Sequence, residues 1–224
     1  MIDLHSHILP QMDDGSQSVE ESQKMLSQLQ SQGVTEVFAT PHFYAQRETP
    51  ATFLQRRTQA LSVLGQTPLP VRPGAEVAYF SDMHKSRDLA SLQLAATGLI
   101  LIEMPFKPWS DRVIHDICSI AVHQGLIPVL AHVDRYRKAG QFPTWCDYLA
   151  QNDVLFQCNA EVFGSFFGRA WAKKNLERIH FLGSDSHNCH TRPPRMDLAA
   201  KALGQETWQA LSQNAQHLLT LNQK

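Results

Sequence analysis

The sequence predicts an α/β fold in which a parallel sheet is wound into a barrel. Short apolar runs alternate with amphipathic helical stretches from end to end, the connections between them are short, and no linker or low-complexity segment divides the chain. With 224 residues, 43% of them hydrophobic and 18% charged, the chain is sized for one core, and a single domain over 1–224 is expected.

Taken in order, the first strand is expected at 2–6, and the capping box Ser18-x-x-Glu21 opens the helix that follows, with Gly33 as its stop. Strands at 34–39, 70–75 and 99–103 come next. Ser110 then opens and Gly125 closes a helix whose Val113, Ile114, Ile117 and Ala121 fall at helical spacing. Strands at 127–132, 154–159 and 179–184 complete the repeated strand-then-helix order.

Twenty Lys and Arg against 21 Asp and Glu give a formal net charge of -1, so the basic footprint of a nucleic-acid binder is missing. Met1 leads straight into the first strand, without a basic and then apolar leader, and no apolar run approaches the length of a membrane span. A cytoplasmic protein without membrane insertion is expected. The cysteines Cys118, Cys146, Cys158 and Cys189 form no C-x-x-C pair, which argues against a disulfide framework and a thiolate zinc site. Histidine stands out, with 11 residues, and it is the commonest metal ligand.

His5 and His7 are two apart, so on an extended strand they share a face and can share an ion; Asp185 and His187 repeat that spacing. The other expected strands also run into ligand types: His42 after Thr40-Pro41, Glu76 after Gly74-Ala75, Glu103 after Leu101-Ile102, and His132 after Leu130-Ala131. Singly, each has an ordinary explanation as a loop cap, an ion pair or a core histidine. A parallel barrel, however, gathers the carboxyl ends of its strands on one face, where active sites of such folds assemble. Imidazoles and carboxylates without thiolates suit Mn, Fe or Zn with coordination positions left open, and so many donors exceed what one ion needs. Two or three divalent ions are expected.

The motifs Met1-Ile-Asp-Leu-His5-Ser-His7, Asp13-Asp14-Gly15, Ala39-Thr-Pro-His42, Gly74-Ala-Glu76, Ile102-Glu103, Ala131-His132 and Gly183-Ser-Asp185-Ser-His187-Asn188 together resemble the metal-dependent tyrosine phosphatases of bacterial capsule and exopolysaccharide loci, which belong to the polymerase-and-histidinol-phosphatase (PHP) superfamily. The resemblance runs nearly the whole length. It implies a distorted (β/α)7 TIM-like barrel of the PHP type and a centre of three ions, usually taken to be manganese. Carried over residue by residue, it implies that His5, His7, Glu76 and Asp185 hold one ion, that Glu76 bridges to a second held by Glu103 and His132, and that Asp14, His42 and His187 hold the third. Asp14 is taken over Asp13 on the family motif alone. Arg135 and Arg192 follow from the same resemblance as grips for phosphate oxygens, although Val133-Asp134 stands before Arg135 where the family commonly has Pro-Glu.

The implied activity is hydrolysis of phosphotyrosine in proteins, with a metal-bridging hydroxide as nucleophile and the C-terminal tail of a bacterial tyrosine kinase as substrate. A phenol of pKa about 10 asks little of a general acid, although His42 or Asp13 is placed in the motifs to serve. The alternatives are a small-molecule phosphatase such as histidinol phosphatase, and a non-catalytic partner of a polysaccharide-synthesis kinase that keeps metals only for stability. Phe43, Tyr44, Phe106, Trp109, Tyr136, Phe163, Phe166 and Phe167 follow strand ends and are either pocket walls or core. Cys189-x5-Arg195 has the spacing of thiol-based phosphatases, but Pro193 and Pro194 remove backbone donors that such a loop needs, so the match is read as accidental. His84, His115, His123, His180, His190 and His217 are expected to be surface or packing residues. Oligomeric state leaves no signal in the sequence.

Overall fold

A computed structural model describes residues 1–137 and 141–221; residues 138–140 and 222–224, part of the expected single domain, lie outside the described residues. The elements are β1 (Ile2–Ser6), α1 (Val19–Ser31), β2 (Glu36–Ala39), β3 (His42–Phe43), α2 (Pro50–Leu64), β4 (Val71–Pro73), β5 (Glu76–Ala78), β6 (Leu99–Glu103), α3 (Asp111–Gln124), β7 (Ile127–Leu130), α4 (Gln141–Gln151), β8 (Leu155–Asn159), α5 (Phe166–Lys174), β9 (Phe181–Gly183), α6 (Met196–Leu203) and α7 (Gln205–Leu221). The strands at 2–6 and 99–103 have the expected bounds. The expected strands at 34–39 and 70–75 narrow to β2 and β4, and beyond each, after a two-residue break, lies a second short strand that was not expected, β3 and β5; those at 127–132, 154–159 and 179–184 are shorter, as β7, β8 and β9.

Every strand pairing is parallel. One sheet has the order β1-β2-β4 and the other β3-β5-β6-β7-β8-β9. Because β3 continues the line of β2, and β5 that of β4, the two make one curled surface. Its ends meet where Ser6 bridges to Ser186, with Asp185 N–H donating to the His5 carbonyl at 2.7 Å and His7 N–H to the Ser186 carbonyl at 2.9 Å. The fold is therefore α/β with a curled parallel sheet.

Alternation along the strands divides two apolar layers. Leu99 and Leu101, with Ile2, Leu4, Phe38, Val129 and Phe181, pack in one cluster that Ala215 and Leu219 of α7 complete. Ile100 and Ile102, with Leu130 and Phe156, pack instead against Met25 and Leu29 of α1 and Ile114 and Ile117 of α3. Fully burying each such side chain contributes on the order of 1.5–3 kcal/mol.

Local signals set the helix ends. Ser18 caps α1 by accepting from Glu21 N–H at 3.2 Å, but the Glu21 carboxylate reaches the N–H of Gln17 at 3.0 Å instead of that of Ser18, so the capping box is half formed. Gly125 ends α3 with φ 63° and donates its N–H to the Ala121 carbonyl, as expected for a glycine stop. Among the described residues no helix is long and apolar enough to cross a membrane.

Candidate metal centre

The residues named from the sequence do converge. His5 lies on β1 and His7 just beyond it; His42 opens β3, Glu76 opens β5, Glu103 ends β6, His132 follows β7, and Asp185 and His187 follow β9. The register of β1 against β2 shifts between Asp3 and Ser6, a bulge that brackets His5 and re-aims the chain there. His132 and Asp185 have positive φ, 34° and 49°, a left-handed backbone that costs L-residues energy and collects at functional sites. Their backbones are pinned by Gln157 Oε1, which accepts His132 N–H at 2.7 Å, and by the His5 carbonyl, which accepts Asp185 N–H at 2.7 Å.

Glu76 is the hub. Its Oε2 lies 3.1 Å from His5 Nε2, 3.2 Å from His7 Nε2 and 3.0 Å from His42 Nδ1, and its Oε1 lies 2.9 Å from His132 Nε2. Glu103 Oε1 is 3.4 Å from that same His132 nitrogen. Asp185 Oδ1 stands 3.7 Å from His5 Nε2 and 3.5 Å from His7 Nε2. Asp14 Oδ1 faces His42 Nε2 at 3.6 Å and His187 Nε2 at 3.5 Å. Three overlapping groups have ligand atoms close enough to share an ion: His5, His7 and Glu76; His42, Glu76 and Glu103; and His7, Asp14, His42 and His187.

Groups behind the imidazoles set which nitrogen faces the cluster. His5 Nδ1–H donates to Gln157 Oε1 at 3.1 Å, His7 Nδ1–H to Asp13 Oδ2 at 2.7 Å, and His187 Nδ1–H to the Asp185 carbonyl at 3.0 Å. Each Nε2 is thereby left with its lone pair toward the centre, the orientation found in histidine ligands to metals. Asp13 and Asp14 thus divide their work. Asp13 is nearly buried and also accepts His42 N–H at 2.8 Å and Gly15 N–H at 2.9 Å, whereas Asp14, 66% exposed, points its carboxylate at His42 and His187.

The donor set fits divalent cations. His5 Nε2 and His7 Nε2 lie 3.1 Å apart, two aromatic lone pairs aimed at a common space. Buried Glu76 Oε2, His42 Nδ1, His132 Nδ1 and His187 Nε2 have no hydrogen-bond partner. Burial pushes Glu76 and Asp185 upward, yet the charge of His5 and hydrogen bonds from neighbouring imidazoles outweigh it and hold both well below the usual carboxylate range. His132, although burial opposes its charge, is raised to about 9 by Glu103 and Glu76, while His187 is lowered to about 3 by burial and by His7. Ionised carboxylates set among imidazole nitrogens make a donor set that suits divalent cations.

Arg135 and Arg192 both reach Asp185. An Nη2 of Arg135 binds Asp185 Oδ2, and Arg192 Nη2 binds Asp185 Oδ1 at 2.9 Å. Arg135 is carried on a 3₁₀ turn, Val133–Arg137, in which Asp134 accepts the N–H of Asn159 at 2.9 Å. Arg192 sits on a loop gathered by Asn188, whose Oδ1 accepts N–H from His190, Thr191 and Arg192. A cleft of about 570 Å³ opens beside the cluster, lined by Asp13, Asp14, His42, Tyr44, Arg47 and Arg56. Of the aromatics, Tyr44 lies beside His42 and Phe106 stacks on His132, while Phe43, Trp109, Tyr136 and Phe163 belong to the core and Phe166 and Phe167 are exposed. The Cys189 thiol is pushed up by burial and by Glu21, and its Sγ points to the Glu21 carbonyl at 3.9 Å; Arg195 pairs with Asp197. No anion cradle forms between them.

Sequence reasoning missed Gln157 and Asn159. Asn159 Nδ2 donates to Asp185 Oδ2 at 2.8 Å and its Oδ1 accepts from Gln157 Nε2 at 3.0 Å. Their signal was present, since two polar residues at alternate positions interrupt an apolar strand.

The chain matches, over residues 1–223, the family model described as capsular polysaccharide synthesis, CpsB/CapC. It is 32% identical to the tyrosine-protein phosphatase YwqE of Bacillus subtilis, covering 98% of this chain and 91% of that one. It is 33% identical to the tyrosine-protein phosphatase CpsB of Streptococcus pneumoniae, covering 91% of each. A solved structure from a study of these two proteins, described as unique metal-dependent tyrosine phosphatases, superposes with a TM-score of 0.84 at 31% identity over 100% of this chain and 96% of that one. With the family model spanning nearly its whole length, this chain belongs to the CpsB/CapC family of capsular polysaccharide synthesis.

Proposed function

We propose that this chain is a metal-dependent protein-tyrosine phosphatase, a single PHP-type catalytic domain in a distorted seven-stranded barrel that acts in the cytoplasm on capsule or exopolysaccharide synthesis. The observation that carries the reading is the cluster of His5, His7, His42, His132 and His187 around Glu76, Glu103, Asp14 and Asp185, with ligand atoms left unpartnered and two arginines at its edge. Its ligands would hold two or three divalent ions, with Mn²⁺ the expected metal. When bound, such ions supply Lewis acidity and a water acidified to a pKa of about 7.

This chain's residues do the rest. Arg135 and Arg192 present guanidinium forks that match phosphate oxygens, and the pair they now make with Asp185 keeps them turned to the same point. His42, with its Nδ1 toward Glu76 and its Nε2 toward Asp14, stands at the edge of the cleft between two of the ligand groups, where either nitrogen would hold an ion or pass a proton to the leaving group. Cleavage breaks the P–O bond to the phenol in line with the entering water oxygen, and the phenolate leaves readily. That the relatives are named tyrosine-protein phosphatases supports a phosphotyrosine protein as substrate, and the tail of a bacterial tyrosine kinase is the expected one.

The experiment strips metal with a chelator, restores Mn²⁺, and follows hydrolysis of a phosphotyrosine peptide beside histidinol phosphate. Activity is expected to vanish, to return with Mn²⁺, and to favour the peptide. Full activity in the metal-free protein would overturn the metal mechanism, and preference for histidinol phosphate would overturn the substrate.

A further inference from the structure

Away from the strand ends, two histidines expected to be surface or packing residues, His84 and His115, gather around one carboxylate, with a third, His123, beside them. His84, on a 3₁₀ turn at Met83–Lys85, is buried, as is Asp116 on the facing side of α3. Asp116 Oδ2 is engaged: it accepts the Tyr79 hydroxyl at 2.6 Å and the Asp82 N–H at 3.1 Å. Asp116 Oδ1 faces His84 Nδ1 at 3.2 Å, yet the two make no hydrogen bond, and that buried nitrogen has no partner. His115 is exposed next to Asp116, with its ring 5.7 Å from that of His84. One ligand atom from each of His84, His115 and Asp116 lies within 4.8 Å of the others.

His123 flanks the group, its ring 5.1 Å from that of His84. Its Nδ1–H donates to the Ser119 carbonyl at 2.9 Å, which leaves the lone pair on Nε2. Leaving a buried imidazole nitrogen unpaired costs energy, and a cation is the partner that two imidazoles and a carboxylate suit. A set of nitrogen and oxygen donors without thiolate, with a coordination position open, favours a borderline transition ion over Mg²⁺ or Ca²⁺.

We propose that His84, His115 and Asp116 form a second, single-ion site for Zn²⁺ or a similar transition cation, separate from the strand-end centre, which fastens the turn at 83–85 to α3. Asp116 already holds Tyr79, and the Tyr79 N–H donates to the Glu103 carbonyl at 2.9 Å. The fastened segment therefore backs onto a strand that carries one of the candidate ligands.

The test adds Zn²⁺ to the Mn²⁺-loaded full chain and collects diffraction data on either side of the zinc absorption edge. An anomalous zinc peak among His84, His115 and Asp116 is expected; zinc found only at the strand ends would overturn the site. In parallel, His115→Ala removes an exposed ring, so folding should be kept, as circular dichroism would verify. Competition with a chromophoric chelator should then show one zinc fewer per chain, or binding at this site weakened by at least about tenfold. Aryl-phosphate turnover of the Mn²⁺-loaded variant should be unchanged. Zinc stoichiometry and affinity equal to wild type would sink the proposal, whatever the fate of the phosphatase reading.

Discussion

His5 and His132 depend on a single amide, that of Gln157, for their aim and their backbone pose respectively. Gln157→Leu keeps the volume but removes the acceptor from both. Mn²⁺ affinity or turnover is expected to fall 10- to 100-fold, roughly what loss of a supporting partner costs a metal site. A manganese titration with unchanged affinity and rate would show that Gln157 only fills space. Asp3 makes a different prediction, because burial raises its carboxyl to about 6 even though it accepts the N–H groups of Ser184 and His5. One of its oxygens is buried without a partner, as suits a protonated acid. Since the pKa is higher in the folded chain than in the unfolded one, the folded state binds more protons between about pH 4 and 6, and stability is lost as pH rises through that window. Asp3→Asn abolishes this loss. In chelator-treated protein, urea melts at pH 4 and pH 7 should show the variant gaining roughly 2 kcal/mol on wild type between them; an identical difference at both pH values would refute the assignment.

Between residue and fold, the segment linking β1 to α1 decides where Asp13 and Asp14 stand. Gly15 is packed so closely that a Cβ there would lie 2.2 Å from the His7 carbonyl oxygen and 2.9 Å from Asp13 Oδ1. Gly15→Ala must therefore shift the loop and, with it, the carboxylate that orients His7. Turnover should drop at least about tenfold with helix content preserved, since a misplacement of about 1 Å is costly in catalysis; steady-state kinetics beside far-ultraviolet circular dichroism would check it. The ends of β1 and β6 were legible in the sequence because apolar runs stop there at a histidine pair or a glutamate. The breaks between β2 and β3 and between β4 and β5 were not, because Thr40-Pro41 and Gly74-Ala75 read as the ends of strands when nothing shows that pairing resumes beyond them. The first ring of donors was readable as residue types at strand ends. The partners behind it were not, because Gln157 and Asp13 acquire their roles only from neighbours far along the chain or across a turn.

For the whole molecule, a buried cluster of carboxylates and imidazoles is a liability until cations neutralise it. Binding restricted to the folded chain stabilises it by roughly 2.7 kcal/mol at a hundredfold excess over Kd. For a chain of this size that corresponds to a rise in Tm of roughly 5–10 °C. Scanning calorimetry of chelator-treated protein with and without Mn²⁺ measures it, and coincident melting curves would mean that the ions do not couple to folding.

The paired interruptions of the sheet have one more effect. Ala39 stands opposite Pro73 before the break and His42 opposite Glu76 after it, so both chains skip the same two residues and resume in step. Equal spacers act as a hinge without slippage: the imidazole and the carboxylate advance together toward the mouth and remain side by side. Removing one residue from a single spacer would throw these neighbours half a pleat out of phase and turn one of them away, whereas shortening both alike would carry the couple down together.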